Sequence, residues 1–299
     1  MVVKLLWRCL AFITGFIPEK LALRIAFIIG GVICGYSGSL RRRVESDIKK
    51  AFASHGYDLK VGRVRRITRR TFLNMAMNLA EFLRFGKLDK VSINSKVTVH
   101  GLHHLEQVME AGKGGIILTL HLGNWELQGA WYSLNGYPLN AIFINQYNRA
   151  LGEEMNRLRK NVGIGLIPRS QLRRAVRLLQ KGELVGVLAD QDGGPRGDYC
   201  KFFNRVISAP PTPAWMAARA GCPLLPAYMI RESAGQHRLV FLPPLPPPGR
   251  SKNDRLALTR QVYKLFESLI LANSEQWLWL YSRWKDRIHT DRYVAEKFQ

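Results

Sequence analysis

Residues 114–126 read GGIILTLHLGNWE, an apolar run that ends on His121 with a carboxylate, Glu126, five residues later. The run is short, rich in Ile and Leu and preceded by glycines, which is typical of a buried strand. Gly123 permits a tight turn, and Asn124 is a favourable first residue for a helix because its side chain can cap free backbone amides. The stretch therefore predicts a strand, a turn and a helix.

The spacing between His121 and Glu126 makes this turn a candidate catalytic site. On one continuous helix, residues five apart point about 140° away from each other, so the two side chains meet only if the chain bends between them. A bend at Gly123 and Asn124 would let the Glu126 carboxylate accept a hydrogen bond from one imidazole nitrogen. The other nitrogen would then be a base, which predicts a His121–Glu126 catalytic dyad.

The rest of the chain alternates between strand-like and helix-like patterns. This alternation predicts an α/β fold with a mixed central sheet flanked by helices. No linker divides the chain after the first 40 residues, so residues 41–299 are expected to form one domain. The predicted strands are 97–100, 116–120, 141–145, 165–168, 184–189, 224–231 and 238–242. The predicted helical segments are 44–85, 102–111, 127–134, 151–161, 172–180, 213–220 and 254–279.

The first 40 residues are predicted to be a membrane anchor. They contain two apolar stretches, 5–17 and 21–36, and neither reaches the roughly 20 apolar residues of a comfortable membrane-spanning helix. The anchor therefore either spans the bilayer as a short helix or lies in the interface as a helical hairpin. If it spans, Arg41, Arg42 and Arg43 keep the following chain in the cytoplasm.

The charge indicates an anionic partner. The 45 Lys and Arg residues against 22 Asp and Glu give a net charge of +23. Nucleic acid is not favoured, because the sequence contains neither zinc-finger spacing nor an RNP-like motif. An anionic membrane surface, an acidic carrier protein and a phosphorylated substrate all fit the charge. The four cysteines are scattered without a Cys-x-x-Cys pair, so we expect reduced thiols and no metal site.

A second polar block follows the predicted strand 184–189. Asp190, Gln191 and Asp192 should lie at the edge of the sheet near His121, since loops at sheet edges are where α/β proteins build their sites. They are candidates for binding an acceptor or ordering the loop, and Arg196 beside them is a candidate anion contact. The plainer alternative is a turn that hydrogen-bonds its own backbone.

Four segments in order carry a resemblance to a known family. The His121–Glu126 spacing resembles the His-x4-Glu signature of the lipid A biosynthesis acyltransferases, the bacterial lauroyl and myristoyl transferases of the wider lysophospholipid acyltransferase-like group. Arg159 stands four residues before Gly163, as the arginine of that family does. The two remaining segments that resemble family motifs are 189–196, followed by Phe202 and Phe203, and 275–285.

This resemblance implies direct acyl transfer, without a cofactor, at the cytoplasmic face of a bacterial inner membrane. The donor would be an acyl carrier protein thioester and the acceptor a phosphorylated glycolipid, the lipid A precursor. Arg159 would contact a phosphate or the developing oxyanion, and backbone amides 123–125 would help to stabilise that oxyanion. Asn124 is predicted to be one of the substrate-binding residues. Residues 45–48 (ESDI) depart from the family's Arg-x-Asn-Leu, which leaves another glycolipid or aminolipid open as acceptor. A thioester hydrolase and a non-enzymatic basic binder remain as alternatives.

Overall fold

A computed structural model describes residues 2–144 and 148–284 of the chain. The described helices are α1 (Val2–Phe16), α2 (Glu19–Tyr36), α3 (Gly38–Ala53), α4 (Val61–Leu83), α5 (Lys90–Asn94), α6 (Leu102–Glu110), α7 (Trp125–Leu134), α8 (Arg149–Asn161), α9 (Leu172–Gln180), α10 (Thr212–Ala220) and α11 (Lys252–Ala272). The described strands are β1 (Val97–His100), β2 (Gly115–Thr119), β3 (Leu139–Phe143), β4 (Gly165–Pro168), β5 (Leu184–Leu188), β6 (Asp198–Phe202), β7 (Arg205–Ala209), β8 (Leu224–Ser233) and β9 (Gln236–Phe241).

A seven-stranded sheet in the order β1-β9-β8-β2-β5-β3-β4 forms the centre of the fold. Neighbouring strands from β8 to β4 are parallel, β9 is antiparallel to β8, and β1 is parallel to β9. The sheet is therefore mixed, and helices flank it, which confirms the predicted α/β architecture.

Strand β2 lies in the middle of this sheet and is buried along its whole length. Ile116 and Leu118 belong to one hydrophobic cluster, whereas Ile117 belongs to another. Successive side chains of a strand point to opposite faces, so both faces of β2 are covered and its sequence is apolar throughout rather than alternating. The buried strand before His121 is thus confirmed.

Most predicted elements recur in the structure with ends shifted by at most two residues, whereas the predicted helical segment 44–85 is divided into α3 and α4. Strand β3 begins at Leu139, before the predicted 141–145, whose last residue Asn145 lies outside the described residues. Helix α11 ends at Ala272, and only a short 3-10 helix, Ser274–Gln276, follows it within the predicted segment 254–279. The hairpin of β6 and β7 is absent from the predictions. Its two-residue turn is Phe203-Asn204, with φ of 51° and 57°, and lacks the glycine that usually marks such turns.

Helices α1 and α2 are packed onto the body of the protein. One face of α2, with Leu23, Ala26 and Gly30, lies against α4, where a Cβ on Gly30 would approach the Phe72 carbonyl oxygen to 2.9 Å. None of the described helices is by itself long and apolar enough to cross a bilayer; α2 followed by α3, bent by 92°, meets that measure only as a pair.

The segment after α11 returns to the turn that follows β2. Leu122 forms an antiparallel bridge with Trp277, and the Leu278 amide donates to the His121 carbonyl at 3.0 Å. Trp277 and Trp279 are buried and in contact, with ring centroids 4.6 Å apart. The C-terminal aromatic segment therefore holds the backbone of His121 in place.

Candidate active site

The topology brings His121 and Asp190 together. Strands β2 and β5 are adjacent and parallel, and their last paired residues are Thr119 and Leu188. His121 and Asp190 each lie two residues beyond these ends, so both side chains lie at the carboxyl edge of the sheet. The prediction that Asp190 lies at this edge near His121 is confirmed.

Asp190 binds His121 through both of its oxygens. Its Oδ1 lies 2.6 Å from Nδ1 of the His121 ring, and its Oδ2 accepts the His121 backbone amide at 3.0 Å. The Trp277 indole N–H also donates to Oδ2, at 2.8 Å. Burial raises the pKa of Asp190, but the His121 ring and these hydrogen bonds outweigh it and leave that pKa below its ordinary value.

This arrangement defines the proton positions on the ring. Because an ionised Asp190 carboxylate can only accept hydrogen bonds, Nδ1 of His121 must carry the proton between them. In the neutral ring Nε2 is then unprotonated and available as a base. Nε2 lies 3.4 Å from the Gln191 side-chain nitrogen, and the Trp125 ring and the imidazole pack edge to face with centroids 4.9 Å apart.

Glu126 has a different partner from the one that the sequence predicts. The bend between His121 and Glu126 is present, but the Glu126 carboxylate is bound by Arg159 of α8, with Nε 2.9 Å from Oε2 and Nη2 2.5 Å from Oε1. The imidazole N–H therefore donates to Asp190 and not, as the sequence predicts, to Glu126. The reason is that Glu126 lies on the side of α7 that faces α8, whereas Asp190 follows β5, the strand next to β2, and so lies beside the His121 imidazole.

The Glu126–Arg159 pair is bidentate and largely buried. Burial lowers the pKa of the Arg159 guanidinium, but the Glu126 carboxylate more than compensates and raises it. The guanidinium also lies 5.7 Å from the centroid of the Phe82 ring, a cation–π contact. The pair thus holds α8 against α7, the helix that follows the turn after β2.

The turn after β2 requires glycine. Gly123 has a φ of 60°, and a Cβ there would overlap the Met229 carbonyl oxygen. The Gly123 amide donates to the Gln276 carbonyl at 3.0 Å and the Asn124 amide to Met229 at 3.2 Å. The expectation that amides 123–125 serve an oxyanion is therefore wrong for Gly123 and Asn124, since both are already engaged.

Asn124 caps helix α7, as predicted. Its Oδ1 accepts the Leu127 amide at 3.0 Å, and its Nδ2 donates to Oε2 of Glu81 at 2.6 Å. The residue is 1% exposed, so both of its polar ends are used inside the protein. These contacts give Asn124 a supporting position under the turn rather than a surface that faces a substrate.

A buried polar network around Glu81 is absent from the sequence predictions. Glu81 accepts hydrogen bonds from Arg231 at 2.7 and 2.5 Å and lies 2.9 Å from Nε2 of His237. Asn78, one turn earlier on α4, donates to the Gly123 carbonyl at 2.5 Å. A carboxylate within the apolar sequence Ala80-Glu81-Phe82-Leu83 was the available signal, because a buried Glu needs a partner.

The charges in this network compensate one another. Burial raises the pKa of Glu81, but His237 and Arg231 together lower it well below its ordinary value. The network joins α4, β8 and β9 to the turn that carries His121. It therefore supports the turn after β2 through Gly123 and Asn124.

The other candidate residues lie in the loop after β5. The Asp192 amide donates to the Tyr281 hydroxyl at 3.2 Å, which ties this loop to the C-terminal segment. Arg196 is exposed in the turn before β6. Among the side chains that the structure describes, no cluster of three or more His, Cys, Asp or Glu would hold a metal ion. Lys285, the last residue of the predicted closing motif, lies outside the described residues.

Comparison with known proteins places the chain in a family. The family model for bacterial lipid A biosynthesis acyltransferases matches residues 3–286. The chain therefore belongs to the bacterial lipid A biosynthesis acyltransferase family, and it is an acyltransferase.

The chain is similar to bacterial acyltransferases that carry three different names. It is 28% identical over 195 residues to the lipid A biosynthesis lauroyltransferase of Escherichia coli, covering 63% of this chain and 62% of the relative. It is also 28% identical over 192 residues to the palmitoleoyltransferase of that organism, covering 63% and 61%. A phosphatidylinositol mannoside acyltransferase of Mycolicibacterium smegmatis is 22% identical over 223 residues, covering 73% and 72%. The matches thus span less than two thirds of the two Escherichia coli relatives.

Proposed function

We propose that this protein transfers a fatty acyl chain from an acyl carrier protein thioester to a hydroxyl of a lipid A precursor. The observation that carries the proposal is the His121–Asp190 contact of 2.6 Å at the carboxyl edge of the sheet, which leaves Nε2 as a base. Family membership supports acyl transfer as the reaction. Lipid A is favoured as the acceptor class because two relatives carry that name at 28% identity.

In the proposed reaction, Nε2 of His121 takes the proton from the acceptor hydroxyl. The oxygen attacks the thioester carbonyl carbon, the carbon–sulfur bond breaks, and the imidazolium returns its proton to the departing thiolate. Asp190 remains ionised throughout, fixes the ring orientation and stabilises the imidazolium. The products are an ester and a free thiol, and no acyl-enzyme is formed.

Glu126 and Arg159 are proposed to act as one unit next to this base. Because Glu126 binds Arg159 through both oxygens, it holds the guanidinium in one orientation. Asn156 accepts a further hydrogen bond from Nη1 at 3.0 Å. An oriented guanidinium suits a phosphate or a developing oxyanion, and we assign Arg159 to the phosphorylated acceptor or the thioester. Gln191, Asp192 and Arg196 are assigned to the same substrate side.

The first two helices are proposed to lie on the cytoplasmic face of a bacterial inner membrane. Their outward faces carry exposed large apolar side chains, including Leu6, Phe12 and Phe16 of α1 and Ile28 and Val32 of α2. Because the other face of α2 is packed on α4, an interfacial hairpin accounts for this arrangement better than a spanning helix. The net charge of +23 suits an anionic leaflet, an acidic carrier protein and a phosphorylated acceptor.

A second acceptor is favoured by one specific observation. The match to the phosphatidylinositol mannoside acyltransferase covers more of both chains than the matches to the lipid A enzymes, although its identity is lower. A mannosylated phosphoinositide is therefore the alternative acceptor. Hydrolysis of the thioester is the alternative reaction, since water could replace the hydroxyl at Nε2.

The test uses the purified protein in neutral detergent with radiolabelled acyl carrier protein thioester. Separate reactions contain a lipid A precursor, a phosphatidylinositol mannoside or no acceptor, and mass spectrometry identifies the product. We expect label in the lipid A precursor and its loss in His121→Ala. Label only in the mannoside would overturn the acceptor, free fatty acid without lipid product would overturn the transfer, and full activity of His121→Ala would overturn the base.

A further inference from the structure

A basic cleft lies between the first helix and α8, and His121 is not among its lining residues. It has a volume of about 530 Å³ and is lined by parts of α1, α8 and the loop after α4. We refer to it as the α1–α8 cleft. Its charged lining residues are Arg8, Arg84, Lys87 and Arg157, and no carboxylate is among the lining residues.

The positive charges of this cleft exceed the negative charges beside it. Arg8 and Arg157 share one carboxylate, that of buried Glu154, at 2.8 Å each. Arg84 donates instead to carbonyl oxygens, those of Thr14 and, at 2.8 Å, Ile17 at the end of α1. Among the described ion pairs, none involves Arg84 or Lys87. Arg84 and Lys87 also line a neighbouring pocket with Glu19 and Glu81, but those two carboxylates pair with Lys96 and Arg231. Within the α1–α8 cleft, four cations and one carboxylate leave three positive charges in excess, which favours an anion.

Apolar side chains border the same cleft. Phe12 and Phe16 line it and are 66% and 70% exposed. The Lys87 ammonium lies 5.2 Å from the centroid of the Phe16 ring. The apolar face of α1 continues outward from these rings through exposed Leu6 and Ile13. Positive charge thus lies directly beside an exposed apolar ridge.

We propose that the α1–α8 cleft binds the phosphate of an anionic membrane phospholipid whose acyl chains lie along α1. A phospholipid has a phosphate immediately next to apolar chains, and the cleft offers the matching order of cations and exposed rings. A free phosphate or a nucleic acid would use the cations but leave Phe12 and Phe16 exposed to water. The proposal rests on the proposed membrane association. It adds that the protein prefers anionic phospholipids and that it binds them at the α1–α8 cleft.

The test compares vesicle binding of two double variants of the full chain. Lys87→Gln with Arg157→Gln removes two cations of the cleft and leaves Arg8 to pair with Glu154. The matched control, Arg219→Gln with Arg250→Gln, removes two exposed cations that line a separate pocket near α10. Binding is measured by co-sedimentation with phosphatidylcholine vesicles and with vesicles that also contain phosphatidylglycerol, at one ionic strength. Circular dichroism verifies folding, and Lys87→Gln alone serves if the double variant is unfolded.

We expect the cleft variant to bind the anionic vesicles about tenfold or more weakly than the unchanged protein. Each basic group at an anionic leaflet raises the affinity by a factor of about ten or somewhat less, and the variant lacks two of them. The control should lose less than about twofold, and binding of both variants to neutral vesicles should match that of the unchanged protein. Equal losses in both variants would show general charge attraction and overturn the proposal. If the unchanged protein bound neither kind of vesicle, the membrane association itself would be wrong.

Discussion

Nδ1 of His121 lies 2.6 Å from Oδ1 of Asp190, although the two residues are 69 positions apart in the chain. The contact exists because β2 and β5 are neighbours in the sheet and run in the same direction. Asp190 also holds the His121 backbone amide and the Trp277 indole. The carboxylate therefore fixes both the ring and the peptide that carries it.

Asp190→Asn should abolish most of the acyl transfer while the protein stays folded. The amide can offer Nδ1 a donor in place of an acceptor, which would favour the wrong tautomer of His121. Loss of the equivalent carboxylate in a serine protease lowers kcat by about 10⁴, and we expect a fall of about 10³ to 10⁴. Steady-state kinetics and thermal unfolding would be measured together. A variant with kcat within tenfold of the unchanged protein would remove Asp190 from the mechanism.

Glu126 and Arg159 should behave as a coupled pair. Glu126→Gln or Arg159→Gln leaves a buried partner charge uncompensated, and each should lower the free energy of unfolding by about 2 to 5 kcal/mol. The double variant should be less unstable than the sum, with a coupling energy of about 1 to 3 kcal/mol. Urea unfolding of the four proteins gives the cycle. Strict additivity would mean that the contact contributes nothing beyond its separate residues.

Steady-state kinetics of the same four proteins distinguish two roles of Glu126. If Glu126 positions Arg159, the two single variants should affect kcat/KM to a similar extent and the double variant little more. If Glu126 assists His121 directly, as the sequence pattern predicts, Glu126→Gln should resemble Asp190→Asn in kcat more than it resembles Arg159→Gln.

Glu81→Gln should destabilise the fold strongly, by about 3 to 5 kcal/mol, because it leaves Arg231 buried without its carboxylate. Glu110→Gln on α6, at an exposed position, is the control and should change stability by less than about 0.5 kcal/mol. Denaturant unfolding near neutral pH measures both. A similar small change in the two variants would contradict the importance of the network.

The contribution of Glu81 should also depend on pH in a defined direction. Because its pKa is lower in the folded protein than the ordinary value of 4.5, the stabilisation is present in full above about pH 5. It is lost as the pH falls below that value toward the folded pKa. The stability difference between the unchanged protein and Glu81→Gln should therefore shrink on acidification, and a difference that grew would contradict the assignment.

Gly123→Ala should disrupt the turn after β2. The substitution combines a positive φ with overlap between the new Cβ and the Met229 carbonyl, and we expect a loss of about 3 kcal/mol or more together with loss of transfer. Gly136→Ala is the matched control, since Gly136 has a φ of 87° but open space around its Cβ position. Its cost should be about 1 to 2 kcal/mol with transfer retained. Thermal unfolding and the acyl transfer assay separate the two.

The buried cysteines should resist alkylation in the folded protein. Burial raises the pKa of Cys200 to about 12 and that of Cys222 to about 11, so at pH 8 only about one thiol in a thousand or fewer is a thiolate. Cys9 is exposed and should react with iodoacetamide first. Peptide mass spectrometry with and without guanidinium gives the order. Early labelling of Cys200 in the folded state would show that the β6–β7 region opens readily.

Local sequence patterns were sufficient to predict much of the secondary structure of this protein. The continuous apolar run of β2, the glycine turn and the Asn124 cap depend on residues close in sequence, and the structure bears them out. The same holds for the position of Asp190 at the edge of the sheet, because it follows from a buried strand that ends just before it. The hairpin of β6 and β7 was not predicted because its turn, Phe203-Asn204, lacks the glycine that usually follows Asn or Asp in such turns.

The pairing of charges was decided by the tertiary structure. The sequence places both Glu126 and Asp190 near His121, but only the order and direction of β2 and β5 bring Asp190 onto Nδ1. Glu126 does not contact the imidazole because its carboxylate binds Arg159 of α8. Glu81 contacts Arg231 and His237, which lie 150 and 156 positions later in the chain. Hydrogen bonds of this kind depend on atomic distances across the folded chain, whereas strands, turns and caps depend on neighbours, so sequence alone determined the elements and the fold selected the partners.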